Sequence, residues 1–542
     1  MKKQKISRRK FLAISAISAA TVALDWKKVA AFSARMGPAK KYPTIIIGAG
    51  LGGLCCGAYL ARQGVPVTVL EQHDIPGGYA TSFDRGDFEF EVSLHGTCIN
   101  SNANQRILTE LDIAKKIKTV LLPEFYRIKT PDTDIRIPQQ DPEAYIRMLC
   151  ERFPDEAAGI SEFIREMVGL SDETDRFIAK KGKFFKLFFP LQFPKMWHIR
   201  GKTLAEFMDG YVSDPKAKAV LGSLWSYYGL PPERLSAFYY ANATGEYLKK
   251  GSYYIRRRSQ DISDALAGAI EAAGGNVRYN TEVEKIILKN ETVAGVKTTD
   301  GEIFPARAVV SNAGAPTTFS KMLPPNILPA AYKKKLAEYR PSLSTFIVWL
   351  GLNREIADRI PAYSTHVGTG SGPSADYALC KKGDIANGPF SVTVYDKAYD
   401  GYSKKGTTSV MLLFLTGYEP WRKFEKVYQR GDKKVYHAQK EAWTRILIHR
   451  SEKAVIPGLS DMIEVKEAAT PLTNQYFTKN PEGAIYGYET SVENAFMNRI
   501  KNKTPVPGLF LAGAWGDPGG GYEGALISGR KTFYEMMKEW GA

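Results

Sequence analysis

A run of β-branched residues from Thr44 to Ile47 opens the regular pattern of this chain. Four such residues without polar alternation predict a strand buried on both faces, as strands of parallel sheets are. Leu51 to Gln63, rich in small and apolar residues, then predicts a helix, and Val65 to Leu70 predicts a second strand. Strand, helix and strand in this order predict an α/β fold.

Similar patterns return far along the chain. Asp261 to Ala273 predicts a helix, and the short β-rich runs after it end in VVSNAG at residues 309–314. Val506 to Ala512 predicts a last buried strand, and a final helix is expected from Tyr522 or Glu523. At 542 residues the chain is long enough for more than one domain.

The glycines after the first strand point to a dinucleotide site. The strand ends in Gly48-x-Gly50-x-x-Gly53, and Glu71 closes the second strand. The first glycine permits a tight turn, the second lets the backbone approach a pyrophosphate, and the third lets helix and strand pack closely. The helix amides favour the phosphates, and Glu71 can accept hydrogen bonds from a ribose.

A second nucleotide site is not expected. Gly368-x-Gly370-x-Gly372 has the wrong final spacing and is followed by Pro373, so this segment is interpreted as a loop. Without a nicotinamide site, electrons would pass to a quinone or oxygen as electron partner, or return to the substrate in one redox-neutral cycle. The five cysteines form no CxxC pair, and no metal site is expected.

Longer motifs resemble a known flavoprotein family. Glu71 leads into Gln72-His73-Asp74 and Pro76-Gly77-Gly78, then FEFEVSLH from Phe88, and VPGLFLAGAWGDPGGGYEGALISGR follows near the C-terminus. These stretches resemble the phytoene desaturase, carotenoid isomerase and retinol saturase family. The resemblance implies FAD as the cofactor. It also implies a Rossmann-like, glutathione-reductase-like FAD-binding domain beside a mixed α+β substrate domain.

The matched motifs imply two sets of site residues. The cofactor-binding set is Gly48, Gly50, Gly53, Glu71, Gly77, Gly78, Ser82, Val283, Gly513, Asp517 and Gly520. The set near the flavin face or substrate channel, and so the catalytic candidates, is Tyr522, Glu523, Tyr486 and His95. His198, His366, His437 and His449 are interpreted as structural. Arg256-Arg257-Arg258 replaces a glycine pair of the family, and both a solvated charge run and an anion site fit it.

The resemblance also divides the chain between the two domains. Residues 41–120, 251–320 and 466–542 are assigned to the FAD-binding domain, and residues 121–250 and 321–465 to the substrate domain. Residues 1–36 are assigned to a signal, because Arg8 and Arg9 precede an uncharged stretch too short to span a membrane comfortably, as in twin-arginine signals. We therefore expect the twin-arginine export machinery as a partner, and a periplasmic or extracytoplasmic location with the signal either cleaved or kept as an anchor.

Charge favours a membrane surface over nucleic acid as a partner. Residues 1–36 hold nine basic and one acidic side chain, which leaves a moderate +9 of the formal +17 for the rest. No arginine-rich recognition helix accompanies this charge, so nucleic acid is not expected. Lys180 to Trp197 interleaves lysines with aromatic residues, which fits both a helix end packed on the core and a peripheral membrane-docking segment.

We therefore expect an exported FAD-dependent oxidoreductase. It would desaturate, saturate or isomerise a C–C double bond of a hydrophobic, polyene- or isoprenoid-like substrate, by hydride transfer to or from flavin N5. One alternative is a flavin amine oxidase, for which the expected aromatic cage would have only Trp515 and Tyr522 in the C-terminal motif. The other is a non-catalytic lipid carrier that contains FAD.

Overall fold

The computed structural model describes residues 42–179, 188–431, 433–495 and 498–541, so the predicted signal lies outside the described residues. Within these ranges the strands are β1 (Thr44–Ile47), β2 (Val67–Leu70), β3 (Ser82–Arg85), β4 (Phe88–Glu91), β5 (Thr119–Leu121), β6 (Tyr126–Lys129), β7 (Asp134–Ile137), β8 (Tyr253–Ile255), β9 (Asn276–Arg278), β10 (Val283–Lys289), β11 (Thr292–Thr298), β12 (Ile303–Pro305), β13 (Ala308–Ser311), β14 (Ser344–Leu352), β15 (Ser364–Val367), β16 (Phe390–Val394), β17 (Thr408–Thr416), β18 (Ile463–Ala469) and β19 (Leu509–Leu511).

The helices are α1 (Leu51–Arg62), α2 (Asn102–Glu110), α3 (Pro142–Arg152), α4 (Ala157–Ala179), α5 (Phe189–Gln192), α6 (Pro194–Ile199), α7 (Leu204–Asp209), α8 (Pro215–Leu221), α9 (Ala237–Lys250), α10 (Gln260–Ala272), α11 (Ala315–Thr317), α12 (Ala330–Glu338), α13 (Pro373–Lys382), α14 (Glu419–Arg422), α15 (Glu425–Arg430), α16 (Lys434–Ala454), α17 (Pro471–Thr478) and α18 (Tyr522–Glu539).

A five-stranded parallel sheet joins segments that are far apart in the sequence. Its order is β19-β13-β1-β2-β9, with Thr44 of the central strand opposite both Val67 and Ala308. All four residues of β1 are buried: Ile46 packs with α1, α10 and α18 on one face of the sheet, and Ile45 and Ile47 pack with β10 and β11 of a three-stranded sheet on the other. This architecture confirms the predicted α/β, Rossmann-like class.

A seven-stranded mixed sheet forms the base of the second domain. Its order is β18-β14-β17-β16-β15-β6-β7, antiparallel throughout except for β15 against β6. Long apolar strands at its centre, β14 and β17, are almost wholly buried, and α4 packs against α9 in the same domain. Together they confirm the predicted mixed α+β substrate domain. Strand β18 pairs with β14 and crosses the predicted boundary between residues 465 and 466.

The ends of the parallel strands face the second sheet across a cavity. Ile47, Asn312 and Gly513 lie at or just after the carboxyl ends of β1, β13 and β19, while Ile347 and Leu413 belong to the seven-stranded sheet, and all five line the cavity. Open α/β sheets bind ligands at this carboxyl edge. The fold therefore places the candidate site between the two domains.

Candidate active site

One cavity of about 1420 Å³ runs from the glycine turns of the parallel sheet to the seven-stranded sheet. Pockets for a single drug-sized ligand occupy roughly 300–1,000 Å³. The cavity can therefore accommodate a cofactor and a second organic molecule together. Its wall has a nucleotide half, built of backbone turns, and a substrate half, built mainly of apolar and aromatic side chains.

The nucleotide half begins at the turn after β1. Gly48 has a φ of +91°, which favours glycine, and Gly50 is the N-cap of α1. Gly50, Leu51 and Gly52 line the cavity at the start of this helix, so their amides can face a phosphate. A Cβ at Gly50 would lie 2.5 Å from Asn312 Nδ2. Gly53 lies behind the wall, where a Cβ would lie 2.5 Å from the Gly48 carbonyl, so its place is in helix–strand packing.

Glu71 and the second glycine pair continue this half of the wall. The Glu71 carboxylate is buried and accepts hydrogen bonds from Ala49 N at 2.6 Å and His73 N at 2.9 Å. Gly77 donates its N–H to the Ala49 carbonyl at 2.8 Å, which docks the second turn on the first. Gly77, Gly78 and Val283 all line the cavity. Backbone amides, a carboxylate and a glycine cradle in one wall fit the phosphates and ribose of FAD.

The C-terminal glycine motif contributes both wall and packing. Gly513 and Gly521 line the cavity, and Gly521, with a φ of +83°, is the N-cap of α18. Gly520 is not among the residues that line the cavity, and a Cβ there would lie 2.7 Å from the Tyr486 carbonyl. The assignment of Gly520 to the flavin stays a prediction. The lack of a side chain at Gly520 lets this turn lie against the backbone at Tyr486.

Two other predicted cofactor residues also lie outside the cavity wall. Ser82, on β3, donates its hydroxyl to Glu89 Oε1 at 2.9 Å within the β3–β4 hairpin. Asp517 forms ion pairs with Lys531 at 2.6 Å and Lys501 at 3.2 Å. In the structure the serine stabilises a hairpin and the aspartate joins α18 to the preceding loop, and their assignments to the cofactor stay predictions.

The catalytic candidates Tyr522 and Glu523 meet at the start of α18. Glu523 Oε1 accepts hydrogen bonds from Thr97 Oγ1 and Cys98 N, both at 2.5 Å. The Tyr522 hydroxyl donates to the Tyr79 carbonyl at 3.2 Å and contacts Ser93 Oγ at 3.2 Å. Burial raises the pKa of Tyr522 well above its ordinary value, so the phenol stays protonated. Both side chains line the cavity in fixed orientations.

His95 and Tyr486 lie on the same cavity wall. His95 Nδ1 is hydrogen-bonded to Thr393 Oγ1 at 3.0 Å, while its Nε2 is buried without a partner among the described residues. Burial lowers the pKa of His95 to about 4, so the ring is neutral at neutral pH. The Tyr486 hydroxyl donates to the Ser226 carbonyl at 3.4 Å, and burial raises its pKa.

Three residues that were not among the predicted site residues shape the site. Asn312, in VVSNAG, accepts a hydrogen bond from Gly53 N at 3.0 Å and lines the cavity. Its position directly after a strand of the parallel sheet is the sequence feature that could have identified it as a site residue. Glu91 is fully buried, and its Oε1 accepts from the amides of Ser93 and Leu94, which fixes the loop that carries His95. His366, interpreted as structural, also lines the cavity, and no sequence pattern marked it.

The triplet Arg256-Arg257-Arg258 contacts other parts of the protein and does not line the cavity. Arg258 is buried, donates to the carbonyls of Glu89 and Tyr402, and lies 3.6 Å over the Tyr402 ring. Arg256 and Arg257 are exposed. All three lie outside the cavity wall. The structure therefore gives no support to an anion-binding role for the triplet.

Comparison with known proteins relates this architecture to flavoproteins. The family described as "Flavin containing amine oxidoreductase" matches residues 51–532. The chain is 28% identical over 522 residues to all-trans-retinol 13,14-reductase of Homo sapiens, covering 89% of this chain and 83% of that protein. It is 24% identical over 525 residues to prolycopene isomerase 1 of an Oncidium hybrid cultivar, covering 93% and 85%. Cyclohexylamine oxidase from Brevibacterium oxydans shares the fold, with a TM-score of 0.59, 15% identity and coverage of 92% and 100%.

Proposed function

Because the chain belongs to the family of flavin containing amine oxidoreductases and is an FAD-dependent oxidoreductase, we propose that its substrate is a hydrophobic polyene or isoprenoid. The reaction would be desaturation, saturation or isomerisation of a C–C double bond. The similarity to the phytoene desaturase, carotenoid isomerase and retinol saturase group that the motifs predicted is confirmed. Two relatives are named for retinol reduction and prolycopene isomerisation, which supports a polyene substrate.

The observation that carries this proposal is the continuity of the cavity. Past the start of α18, the wall is formed by large apolar and aromatic side chains, among them Trp225, Ile347, Trp349, Leu413 and Leu415. An apolar wall of this kind removes a long hydrocarbon from water, which is the main source of its binding energy. A small polar substrate would leave most of this surface uncovered.

The residues at the start of α18 would handle the proton and the substrate position. When bound, FAD supplies hydride-transfer chemistry at its N5 atom. Tyr522 keeps its proton because burial raises its pKa, and the hydrogen bonds to Tyr79 and Ser93 hold its hydroxyl. Glu523 is held by Thr97 and Cys98 through Oε1, and a carboxylate oxygen at this position can accept a hydrogen bond from a water molecule.

Anaerobic mixing of the yellow holoprotein with candidate substrates tests the reaction. We expect that retinoids or carotenoids bleach the flavin absorbance or are isomerised, as chromatography of the extract would show, whereas primary amines do neither. Bleaching by amines alone would establish the amine oxidase alternative, and an inert flavin with no isomerisation would establish the carrier. Reoxidation by a quinone or by oxygen identifies the electron partner.

A peripheral membrane contact is the second part of the proposal. In Lys180–Trp197, residues 180–187 lie outside the described residues, and Phe188, Leu191 and Trp197 are 47%, 81% and 40% exposed. Phe193 and Met196 of the same segment are buried, so the described part of the segment is anchored while Phe188, Leu191 and Trp197 face out. No described helix has the length and apolar character needed to cross a bilayer.

Sedimentation with anionic vesicles tests this contact. Leu191→Ser should weaken vesicle binding, whereas Val435→Ser, at a residue 66% exposed on α16, should not. Equal binding by both variants would contradict the proposed contact.

Export by the twin-arginine route is the third part, and it rests on the sequence alone. Folded export suits a protein that must receive FAD before it leaves the cytoplasm. Replacing Arg8 and Arg9 with lysine should retain the protein in the cytoplasmic fraction, while replacing Lys2 and Lys3 with arginine should not. Unchanged export of the first variant would contradict the signal.

A further inference from the structure

His366 is a histidine on the cavity wall whose ring has no polar partner. It lies on β15, and its ring packs against Tyr126 at 5.0 Å and Tyr227 at 5.6 Å between ring centroids. Among the described residues, neither imidazole nitrogen makes a hydrogen bond, and the ring keeps part of its surface accessible. The two tyrosine rings are tilted by 34° and 41° against the imidazole and restrict its rotation.

The protonation state defines what this ring can bind. Burial, reinforced by the charge that His95 would carry if protonated, lowers the pKa of His366 to about 3. At neutral pH the imidazole is therefore uncharged, with one N–H donor and one nitrogen acceptor. A hydroxyl group can satisfy either nitrogen, because it both donates and accepts. A carboxylate fits less well, because the uncharged imidazole offers no positive charge to an anion.

The position of His366 along the sheet sets where a bound hydroxyl would lie. Ser364 pairs with Thr393 and His366 with Ser391, so Ser364 and His366 share one face of β15. The hydroxyl of Thr393 is hydrogen-bonded to His95. His95 is two residues before Thr97, and the Thr97 hydroxyl donates a hydrogen bond to Glu523. His366 therefore lies two residues, about 7 Å, along β15 from Ser364, whose pairing partner Thr393 contacts His95. A group bound to His366 would lie in the same cavity that His95 lines.

We propose that His366 determines substrate specificity by binding a hydroxyl group, so that the enzyme acts on a polyene or isoprenoid alcohol rather than on the matching hydrocarbon. This inference rests on the polyene function proposed above. A hydrocarbon would cover the imidazole without bonding it, and a buried polar group left unpaired weakens binding. We expect the alcohol to bind at least about tenfold more tightly than the hydrocarbon, which corresponds to about 1.4 kcal/mol.

The test is a comparison of two ligands on three holoproteins. The probes are a C20 isoprenoid alcohol and the C20 hydrocarbon of the same chain, titrated against tryptophan fluorescence, since Trp225 and Trp349 line the cavity. His366→Phe keeps a ring between Tyr126 and Tyr227 but has no nitrogen, and should lose the preference for the alcohol while binding the hydrocarbon at least as well. His366→Gln keeps a donor and an acceptor and should retain part of the preference.

The outcomes separate this inference from the proposed function. His449→Phe, at an exposed position on α16, is the control and should keep the full preference. Equal binding of both ligands by the wild type, or an unchanged preference in His366→Phe, would overturn the role of His366 and leave the polyene function intact. If neither ligand binds the wild type, the polyene function and this inference fail together. A flavin absorbance spectrum confirms that each variant is folded and loaded.

Discussion

Replacing Gly52 with alanine tests the close approach on which the nucleotide half of the cavity depends. A Cβ at Gly52 would lie 2.5 Å from Gly513 Cα and 2.9 Å from Asn312 Oδ1. Neither neighbour can move freely, because Gly513 N donates to Ser528 Oγ at 3.0 Å and Asn312 Oδ1 accepts from Gly53 N at 3.0 Å. The start of α1 must therefore shift, and the amides that face the phosphates shift with it.

The magnitude follows from two opposing effects. Alanine in a helix is more stable than glycine by roughly 0.5–1 kcal/mol, whereas overpacking against a fixed neighbour costs typically about 1–3 kcal/mol. We expect a net loss of about 1–2 kcal/mol in the free energy of unfolding. Gly268, also helical, has no atom within 4 Å of a Cβ, so Gly268→Ala isolates the helix effect and should be neutral or stabilising.

The assay measures flavin and stability together. The ratio of flavin to protein absorbance after purification, FAD affinity of the apoprotein, and unfolding by denaturant are compared for the wild type and both variants. We expect Gly52→Ala to lose flavin and stability while Gly268→Ala keeps both. A Gly52→Ala protein with the wild-type flavin ratio and stability would refute the packing argument.

Three further changes probe the site. Glu523→Gln should keep full flavin content but lower kcat about tenfold in steady-state assays, because the negative charge is lost while the amide oxygen can still accept from Thr97; an unchanged kcat would contradict this role. Asp517→Asn, which breaks the pair with Lys531, should keep its flavin, and an apoprotein would support the sequence-based assignment. Burial lowers the pKa of His366 from its ordinary 6.5 to about 3. Below pH 6.5 the unfolded chain therefore binds a proton at this histidine that the folded protein does not bind, so the free energy of unfolding falls as the pH is lowered toward 3. Denaturant unfolding should show the wild type losing roughly 1.6 kcal/mol relative to His366→Phe between pH 6.5 and 5, and a constant difference would contradict this.

Local patterns predicted the frame of the FAD-binding domain closely. The helix expected over Leu51–Gln63 is observed as Leu51–Arg62, and the last helix begins at Tyr522 as expected. The last strand was predicted over Val506–Ala512 and is shorter, Leu509–Leu511. Glycine turns and β-branched runs are local signals, because they act through the backbone of the same few residues.

The composition of the cavity wall depended on contacts between distant segments. Asp517 has the sequence position of a cofactor ligand, yet Lys531 and Lys501 neutralise it, and no local pattern shows that pairing. His366 looked like an isolated histidine until β15 placed it beside Tyr126 and Tyr227.

The sequence by itself therefore determined the α/β class and the position of the nucleotide-binding turns, because these follow from backbone conformation and periodicity. Which polar side chains are paired within the protein, and which are left for a ligand, was decided only by the tertiary structure. The physical reason is that a buried polar group needs a partner, and the fold supplies that partner from a segment often hundreds of residues away.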